Sequence, residues 1–333
     1  MSKILILGGA GYIGSVLTAH FLKGKHDVVV IDNFIYNNHS TILPYIGDPN
    51  YRMIKGDFSD FTLLDKEAQN VDHVLILAGL VGDPITKKYP ITSEKINNLN
   101  IKKCIDYFDD KSIQKLVFIS TCSNYGLISE GKLADEEFEL TPLSLYAKAK
   151  VSNEQYLLNK KGKVSYSGVI LRFATAFGLS PRMRFDLTIS EFTRDLFFRE
   201  KLIVFDENTW RPYCHVRDFA RLIDIVFSAE KNLIDFEVFN AGGDKNNFTK
   251  KMIVDCITSK IEGAKIEYNQ NDSDPRNYKV SFNKVKTVLG FVPEKSVEYG
   301  INELIQAFKL GLFADSKTNF KNYGNYKLNY SED

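Results

Sequence analysis

Long apolar runs are absent from this sequence. No stretch of the 333 residues approaches the roughly 20 consecutive apolar residues that span a bilayer. An excess of charge of either sign is absent as well, since 43 lysines and arginines balance 42 aspartates and glutamates. A net charge of +1 provides little attraction to nucleic acid or to an anionic membrane. We therefore expect a soluble protein that binds neither nucleic acid nor membrane.

Cysteine is scarce, and Cys104, Cys122, Cys214 and Cys256 are widely spaced. Their spacing fits neither a disulfide framework nor a zinc site. The histidines form no H-x-x-x-H arrangement, so we predict that the protein holds no metal. The first apolar strand begins at Lys3 or Ile4, which leaves no room for a signal peptide, and we expect a cytoplasmic location.

The sequence does contain a glycine-rich turn between a strand and a helix. The apolar run Ile4–Leu7 leads into the turn, and apolar residues recur at helical spacing over Ser15–Leu22. Glycines let the backbone turn tightly and approach a phosphate, and the first helical turn presents unpaired N–H groups to negative charge. We therefore predict a dinucleotide pyrophosphate site; the alternative is an ordinary α/β turn. Its residues are Gly8, Gly11, Tyr12, Ile13 and Gly14.

A second apolar strand, Val28–Ile31, ends at Asp32, and Asn33 follows. An acidic side chain at the end of this strand accepts hydrogen bonds from the ribose hydroxyls of adenosine and repels a 2′-phosphate. Asp32 and Asn33 are therefore expected to contact the cofactor. The acidic residue predicts NAD rather than NADP.

Short β-branched runs alternate with amphipathic helical stretches, a pattern typical of a parallel sheet covered by helices on both faces. We predict an α/β fold, with a Rossmann-type doubly wound parallel sheet over residues 1–175. Residues 176–313 are expected to form a smaller α/β substrate-binding lobe that includes strands at Val238–Asn240 and Ile266–Tyr268. Residues 211–235 of this range are expected to pack back on the first lobe.

Residues 314–333 are rich in Asn, Lys, Tyr and Ser. Such a composition favours a solvated or partly ordered polar tail. The alternative is a strap that crosses a partner subunit.

Tyr146 and Lys150 lie at positions i and i+4 of a helix predicted to begin near Ser144, so they share one helix face. The ordinary pKa of a phenol is about 10, which is too high for a base at neutral pH. The ammonium of Lys150 and the positive charge of a nicotinamide ring both favour the phenolate. The pair therefore predicts that Tyr146 is a catalytic base.

With these motifs in this order, the chain resembles the extended short-chain dehydrogenase/reductases, the family that includes nucleotide-sugar epimerases and dehydratases. The resemblance runs from Lys3 to about Phe313. It implies that the glycine turn holds the NAD pyrophosphate, Asp32 binds the adenosine ribose, and Lys150 binds the nicotinamide ribose. The other cofactor contacts that it implies are Asp57 and Phe58 beside the adenine, Ala78 and Gly79 along the cofactor, and Asn98 as a hydrogen-bonding support.

The resemblance also implies contacts with a nucleotide-diphosphate sugar. Thr121 matches the catalytic hydroxyl residue that contacts the sugar oxygen undergoing oxidation. Arg211 and Arg276 match arginines that face the diphosphate, a role that suits forked guanidinium groups. The alternative for each is an ordinary surface arginine. Further substrate contacts are expected at Ser123, at Thr175, where the family usually has asparagine, and at Arg182 and Arg184.

One departure from the family bears on the reaction. Where the 4,6-dehydratases have Thr-Asp-Glu, this chain has Thr121-Cys122-Ser123. Those enzymes use the acid pair to expel water from C6 and to move the C5 proton, and cysteine and serine do not replace carboxyl groups at their ordinary pKa values. We therefore predict oxidation of a sugar carbon, C4, without 4,6-dehydration.

Within the family, the Cys-Ser replacement and the segment Ser180–Phe185 resemble the sugar-nucleotide 4-dehydrogenases of bacterial capsule heptose assembly, which act on GDP-heptose. We expect an oxidoreductase of this kind, as a homodimer or homotetramer. A nucleotide-sugar 4-epimerase is the first alternative. A 4-keto-sugar reductase is another, although such reductases often prefer NADP, which Asp32 opposes. A non-catalytic NAD-binding regulator is the last, although such proteins often lose the tyrosine or lysine present here.

Overall fold

The computed structural model describes residues 1–129, 131–198, 201–270 and 276–329. Its largest element is a sheet of seven parallel strands in the order β10-β6-β5-β4-β1-β2-β3. The chain winds outward from β1 in both directions, which opens a crevice at the carboxyl ends of the central strands. The strands are β1 (Lys3–Leu7), β2 (Asp27–Asp32), β3 (Tyr51–Lys55), β4 (His73–Ile76), β5 (Lys115–Thr121), β6 (Ser167–Phe173) and β10 (Glu237–Ala241).

Helices cover both faces of this sheet. α1 and α8 pack together on one face, and α5 and α6 pack together on the other. A π-helical turn, Lys95–Leu99, joins α4 to α5. The helices are α1 (Tyr12–Lys23), α2 (Phe61–Glu67), α3 (Asp83–Lys88), α4 (Pro90–Glu94), α5 (Asn100–Tyr107), α6 (Leu145–Leu158), α7 (Thr188–Phe197), α8 (Val216–Ser228), α9 (Lys231–Ile234), α10 (Lys250–Thr258), α11 (Asn283–Leu289), α12 (Val297–Lys309) and α13 (Ser316–Asn319).

The side-chain alternation of β1 shows why the sheet is covered on both faces. Ile4 and Ile6 belong to one apolar core, whereas Leu5 and Leu7 belong to the other, and all four are fully buried. Successive side chains of a strand point to opposite faces, so a continuous apolar run needs a packing partner on each side. The predicted doubly wound sheet is confirmed.

The smaller lobe is built from two short sheets and three helices. β9 pairs with β7 in parallel and with β11 in antiparallel orientation, and β8 pairs with β12. The helices α7, α10 and α12 pack around a core that includes Phe177 and Ile301. The strands are β7 (Thr175–Phe177), β8 (Lys201–Phe205), β9 (Trp210–His215), β11 (Asn247–Thr249) and β12 (Lys265–Asn269).

The strand expected at Val238–Asn240 in the smaller lobe belongs instead to the large sheet. There β10 pairs with β6, whose residues are buried throughout and whose free edge needs a hydrogen-bonding partner. Residues 211–235 were expected to pack together on the larger lobe, but the structure divides them between the two lobes. β9 stays in the smaller lobe, and α8 returns to pack on α1.

The C-terminal segment is folded against its own chain. After α13, a 3₁₀ turn at Phe320–Tyr323 leads into an extended stretch, residues 323–329, which we call the strap. The strap makes hydrogen bonds to both lobes. The expectation of a solvated or partly ordered tail is therefore wrong for Gly324 and Asn325, which are buried and hydrogen-bonded to the rest of the protein. Residues 330–333 of the predicted tail lie outside the described residues.

In the described part of the chain, no helix combines the length and the apolar composition that a membrane span requires. The four cysteines are free thiols, and the described residues contain no group of three or more side chains arranged to hold a metal ion.

A buried ion pair connects the sheet to α6 behind the carboxyl edge. The guanidinium of Arg172 on β6 donates to Glu154 Oε1 on α6 at 3.2 Å and to Glu154 Oε2 at 3.1 and 2.8 Å. Glu154 also accepts hydrogen bonds from Ser120 Oγ and, at 2.8 Å, from Asn124 Nδ2. These bonds hold the end of β5 against α6. They therefore fix the relative positions of residues that those two elements contribute to the crevice.

We expect Arg172→Met to lower the free energy of unfolding by about 3–5 kcal/mol, because it leaves the Glu154 carboxylate buried without its charge partner. Urea denaturation measures this loss. Adding Glu154→Gln should recover part of it, since no unpaired charge then remains. The control is Arg217→Met, which removes a mostly exposed guanidinium and should cost about 1 kcal/mol or less. Equal losses for Arg172→Met and Arg217→Met would contradict the role of the buried pair.

Candidate active site

A cavity of about 600 Å³ lies at the carboxyl edge of the large sheet, between the two lobes. Parallel strands all end at this edge, so residues far apart in the sequence meet there. Most of the predicted site residues line the cavity; Asp57 and Asn98 are the exceptions among them. The predicted residues in the lining are Gly8, Gly11, Tyr12, Ile13, Gly14, Asp32, Asn33, Phe58, Ala78, Gly79, Thr121, Ser123, Tyr146, Lys150, Thr175, Arg182, Arg184, Arg211 and Arg276.

The glycine turn between β1 and α1 brings backbone segments into direct contact. A Cβ atom on Gly14 would lie 2.7 Å from Gly9 Cα and closer still to Gly8 O. Gly8 itself has a φ of +90°, and a Cβ atom there would lie 2.8 Å from Ala78 N. Gly11 differs, because the nearest heavy atom to its Cβ position is 3.5 Å away and the residue lines the cavity. Gly8 and Gly14 therefore close the turn, and Gly11 leaves room for a ligand.

Asp32 ends β2 with its carboxylate held by backbone donors. It accepts hydrogen bonds from Ala10 N at 3.0 Å and from Phe34 N at 2.8 Å. Burial raises the pKa of Asp32 above its ordinary value, and these hydrogen bonds oppose that shift. Nearby, Asn38 Nδ2 donates to Ala10 O at 2.7 Å, and Asn38 Oδ1 is buried without a partner among the described residues. The carboxylate and this amide oxygen are acceptors of the kind that ribose hydroxyls require.

The adenine contacts implied at Asp57 and Phe58 separate in the structure. Phe58 is buried and lines the cavity. The Asp57 carboxylate instead accepts hydrogen bonds from Ser59 N at 2.8 Å and from Ser59 Oγ at 2.7 Å. Asp57 is therefore engaged within its own turn, outside the cavity lining.

The hydrogen-bonding support expected from Asn98 comes from Asn97. Asn97 Oδ1 accepts from Leu80 N at 2.7 Å, and its Nδ2 donates to Leu80 O at 2.9 Å, so it holds the loop after β4. Asn98 Nδ2 donates to Glu94 Oε1 at 2.6 Å. The π-helical turn Lys95–Leu99 adds a residue to one helical turn and so changes which asparagine faces the loop. The assignment of Asn98 is corrected accordingly.

The predicted tyrosine and lysine lie in the first two turns of α6. Ser144 caps this helix, since its Oγ accepts a hydrogen bond from Ala147 N at 3.1 Å. Lys150 Nζ donates to Ile119 O at 2.6 Å and lies 5.7 Å from the centroid of the Tyr146 ring. The carbonyl group of Ile119 on β5 therefore positions the Lys150 side chain beside the Tyr146 ring.

Burial dominates the electrostatics of this pair. It lowers the pKa of Lys150 to about 7, although Glu154 opposes the shift. It raises the pKa of Tyr146 above its ordinary value, and the main opposing influence is the positive charge of Arg184. In the polypeptide alone the pKa of Tyr146 therefore stays above its ordinary value, and the joint effect of Lys150 and a nicotinamide on the phenolate stays a prediction. Deprotonation of Tyr146 needs further positive charge in the cavity, which an oxidised nicotinamide carries.

Thr121, Cys122 and Ser123 follow one another at the end of β5 but face different surroundings. Thr121 Oγ1 accepts a hydrogen bond from Ser123 N at 3.1 Å and lines the cavity. Cys122 is buried, its Sγ donates to Arg172 O at 3.2 Å, and burial raises the pKa of the thiol. Ser123 Oγ lies 3.2 Å from Tyr278 OH. A buried thiol, Cys122, and a hydroxyl, Ser123, thus occupy the positions of the two dehydratase acids.

Arg211 and Arg276 meet on the smaller-lobe wall of the cavity. The guanidinium of Arg211 lies 4.9 Å from the centroid of the Tyr278 ring, and it donates to Arg276 O. Arg276 Nη1 lies 2.8 Å from Asp83 Oδ2, on the opposite wall. The structure therefore brings these two predicted residues together where the lobes face each other.

Arg182 and Arg184 lie elsewhere in the cavity. The guanidinium of Arg182 lies 4.7 Å from the centroid of the Tyr36 ring, in the loop after β2. Arg184 donates two hydrogen bonds to Asp186, at 3.0 and 2.6 Å. Both arginines therefore border the wall that begins at Asp32, apart from the other arginine pair.

The sequence motifs do not identify several residues of the lining. Tyr36 and Asn38 lie just after Asp32, and this proximity is the only signal that points to them. The polar composition of the C-terminal segment conceals its contribution. The cavity-lining residues that the motifs do not identify include Tyr36, Asn38, Val81, Asp186, Asn325 and Tyr326.

The residues of the cavity match the parts of a dinucleotide at three places. Gly11 leaves space at the start of α1, Asp32 and Asn38 offer acceptors after β2, and Tyr146 in the first turn of α6 lines the cavity. This arrangement defines an oxidoreductase of the Rossmann type whose cofactor is NAD. Residues 4–242 match the family described as "NAD dependent epimerase/dehydratase family", and the chain belongs to that family.

Known relatives extend over almost the whole chain. An uncharacterised UDP-glucose epimerase of Bacillus subtilis, YtcB, is 28% identical over 91% of this chain and 96% of its own length. A dTDP-glucose 4,6-dehydratase of Streptomyces niveus is 25% identical over 92% of this chain and 93% of its own. The UDP-glucuronic acid 4-epimerase of Bacillus cereus, solved with UDP-glucuronic acid and NAD, matches with a TM-score of 0.83. It is 25% identical and covers 92% of this chain and 99% of its own.

We expect Gly14→Ala to lower the free energy of unfolding by about 2–4 kcal/mol, because its methyl group overlaps backbone atoms that have no room to move. Gly11→Ala is the matched control, with the same change in the same turn. It should cost less than about 1 kcal/mol of stability but weaken NAD binding, since its methyl group adjoins the cavity. Thermal unfolding without NAD and calorimetric titration with NAD separate the two effects. Similar stability for both variants would show that the turn is not closely packed.

Proposed function

We propose that this protein oxidises C4 of a nucleotide-diphosphate sugar, with NAD as the hydride acceptor, and that its product keeps the C6 oxygen. The observation that carries the proposal is the arrangement at the end of β5. A hydroxyl residue, Thr121, lines the cavity with Tyr146 and Lys150, while the two following positions hold a buried thiol and a hydroxyl.

The residues of the chain have separate tasks in this oxidation. Tyr146 takes the proton of the C4 hydroxyl. NAD, when bound, would supply the hydride acceptor for the C4 hydrogen. Thr121 Oγ1 already accepts a hydrogen bond from Ser123 N, so its own O–H remains to donate to the sugar oxygen. Lys150, fixed by Ile119 O, contributes an ammonium at the nicotinamide ribose.

Elimination across C5 and C6 needs two further groups, a base for the C5 proton and an acid for the departing C6 hydroxyl. The Cys122 thiol is bonded to Arg172 O, and burial raises its pKa, so it supplies neither group near neutral pH. Ser123 has the weakly acidic hydroxyl of any serine. These properties support a reaction that stops at the 4-ketone or returns from it.

The diphosphate of the substrate has matching donor groups on the smaller-lobe wall of the cavity. Arg211 and Arg276 carry forked donors suited to diphosphate oxygens, and both line the cavity. The ion pair between Arg276 and Asp83 joins the two lobes. Diphosphate binding at Arg276 therefore depends on the distance between the lobes. We assign this wall to the substrate diphosphate and Thr175 to the adjoining lining.

GDP-heptose is the substrate that we propose first, and the support for it is the resemblance of the segment Ser180–Phe185. The relatives named above act on UDP or dTDP sugars by their descriptions, so these nucleotides form the comparison set. The values of kcat/KM across GDP-, UDP- and dTDP-sugars decide the nucleotide. A preference for a UDP sugar would refute GDP-heptose and leave the C4 chemistry intact.

A nucleotide-sugar 4-epimerase is the second candidate, favoured by the structural match to the UDP-glucuronic acid 4-epimerase. It uses the same groups but returns the hydride to the opposite face of the 4-keto sugar. Product NMR together with the absorbance of reduced cofactor separates the two. A 4-keto product with one reduced cofactor per turnover indicates the dehydrogenase, whereas C4 inversion without net reduction indicates the epimerase. A 6-deoxy product would refute both.

We expect Tyr146→Phe to lower turnover by about 10²–10⁴-fold, because it removes the proton acceptor and keeps the ring. NAD and nucleotide-sugar binding should persist, and calorimetry of the variant checks this. Tyr166→Phe is a control that removes the hydroxyl of a tyrosine in the second apolar core. Turnover of Tyr146→Phe close to that of the unmodified enzyme would exclude Tyr146 as the base.

A further inference from the structure

The strap, residues 323–329, connects to the two walls that flank the glycine turn. On the wall after β2, Asn329 N donates to Ile35 O at 2.8 Å. On the wall after β4, Asn325 Nδ2 donates to Val81 O at 2.8 Å. β2 and β4 are the immediate neighbours of β1 in the sheet, so the strap bridges the crevice directly over the end of β1.

A third set of bonds joins the strap to the loop that carries the arginines. Arg182 Nη2 donates to Gly324 O at 3.2 Å, and Asn325 N donates to Asp186 Oδ2 at 3.1 Å. Asp186 also holds Arg184, so its carboxylate links the strap to both the loop and the arginine. The strap is therefore tied to the smaller lobe as well as to the larger one.

Two of these contacts, at Ile35 and at Arg182, border the dinucleotide half of the cavity. The wall after β2 begins at Asp32, and the guanidinium of Arg182 stacks on Tyr36 in that wall. None of the strap's hydrogen bonds among the described residues goes to Thr121 or Tyr146, which belong to the substrate half. The position of the strap thus distinguishes between the two ligands.

We propose that the strap is a cofactor-binding element that closes the cavity over the dinucleotide, with Asn325 as its contact residue and Arg182 as the cation beside the NAD diphosphate. Release of the reduced cofactor after each oxidation then requires the strap to detach from both lobes. This inference rests on NAD binding and does not depend on which sugar is oxidised.

The state of Asn325 and Arg182 supports this assignment. Asn325 is 6% exposed and lines the cavity, and its Oδ1 has no partner among the described residues. A buried amide oxygen without a donor is costly unless a ligand hydroxyl supplies one. Burial and the neighbouring Arg184 lower the pKa of Arg182 to about 10, and an anionic diphosphate would relieve both effects. Guanidinium forks are suited to that anion.

The first test measures how fast reduced cofactor dissociates, by its fluorescence during a chase with excess NAD. Asn325→Ala should accelerate release by about 5–10-fold, since it removes the side chain's bonds to the wall and to the ligand. Removal of residues 324–333 keeps Tyr323, whose carbonyl accepts from Phe185 N at 2.6 Å, and should accelerate release by about 10²-fold.

Asn322→Ala is the matched control, because it changes an exposed asparagine in the same segment. Its release rate should lie within about twofold of the unmodified protein. Thermal unfolding without NAD establishes that each variant is folded. Release rates within twofold for both Asn325→Ala and the shortened chain would overturn the proposal.

The second test is hydrogen exchange of the unmodified protein. NAD should slow exchange of the strap amides, among them Asn325 N and Asn329 N, by at least about 10-fold, and more than it slows exchange in α12. GDP or UDP alone should leave the strap unchanged. Protection by the nucleoside diphosphate but not by NAD would assign the strap to the substrate instead. Equal exchange in all states would make it a static part of the fold.

Discussion

The contact between Gly14 and the backbone at Gly8 and Gly9 is the constraint on which the site depends. Because no side chain fits between them, the first turn of α1 begins directly behind the end of β1. The free N–H groups of that turn therefore face the crevice where the sheet winds outward in two directions. The loops after β2 and β4 flank the same point, so the backbone alone sets the position of the dinucleotide site.

Burial sets both the stability of the sheet and the chemistry at its edge. The Arg172–Glu154 pair locks α6 onto the strands, and this places Lys150 and Tyr146 in an environment with little water. The same environment moves their two pKa values toward neutral forms, downward for the lysine and upward for the tyrosine. In the reaction that we propose, charge brought by the ligands favours release of the tyrosine proton.

The cavity divides into two halves that are built by different kinds of structure. The loops after β2 and β4, the Arg182–Asp186 loop and the strap surround the dinucleotide half, and they are separated by long stretches of sequence. The substrate half consists of β5, α6 and the wall that carries Arg211. In the substrate half that we propose, a buried thiol, Cys122, and a half-buried hydroxyl, Ser123, follow Thr121.

The sequence by itself determined the elements whose signals are local. The glycine turn, Asp32 and the Tyr146–Lys150 pair were predictable because each depends on a few consecutive residues and on one strand or helix. The tertiary structure decided the rest. β10 joins the large sheet because the edge of β6 needs a partner, and Asn97 replaces Asn98 because a π-helical turn shifts the helix face. The strap has a polar composition that is equally compatible with water or with protein as its hydrogen-bonding partner. Only the folded chain, by bringing Val81, Asp186 and Ile35 to one crevice, decides between them.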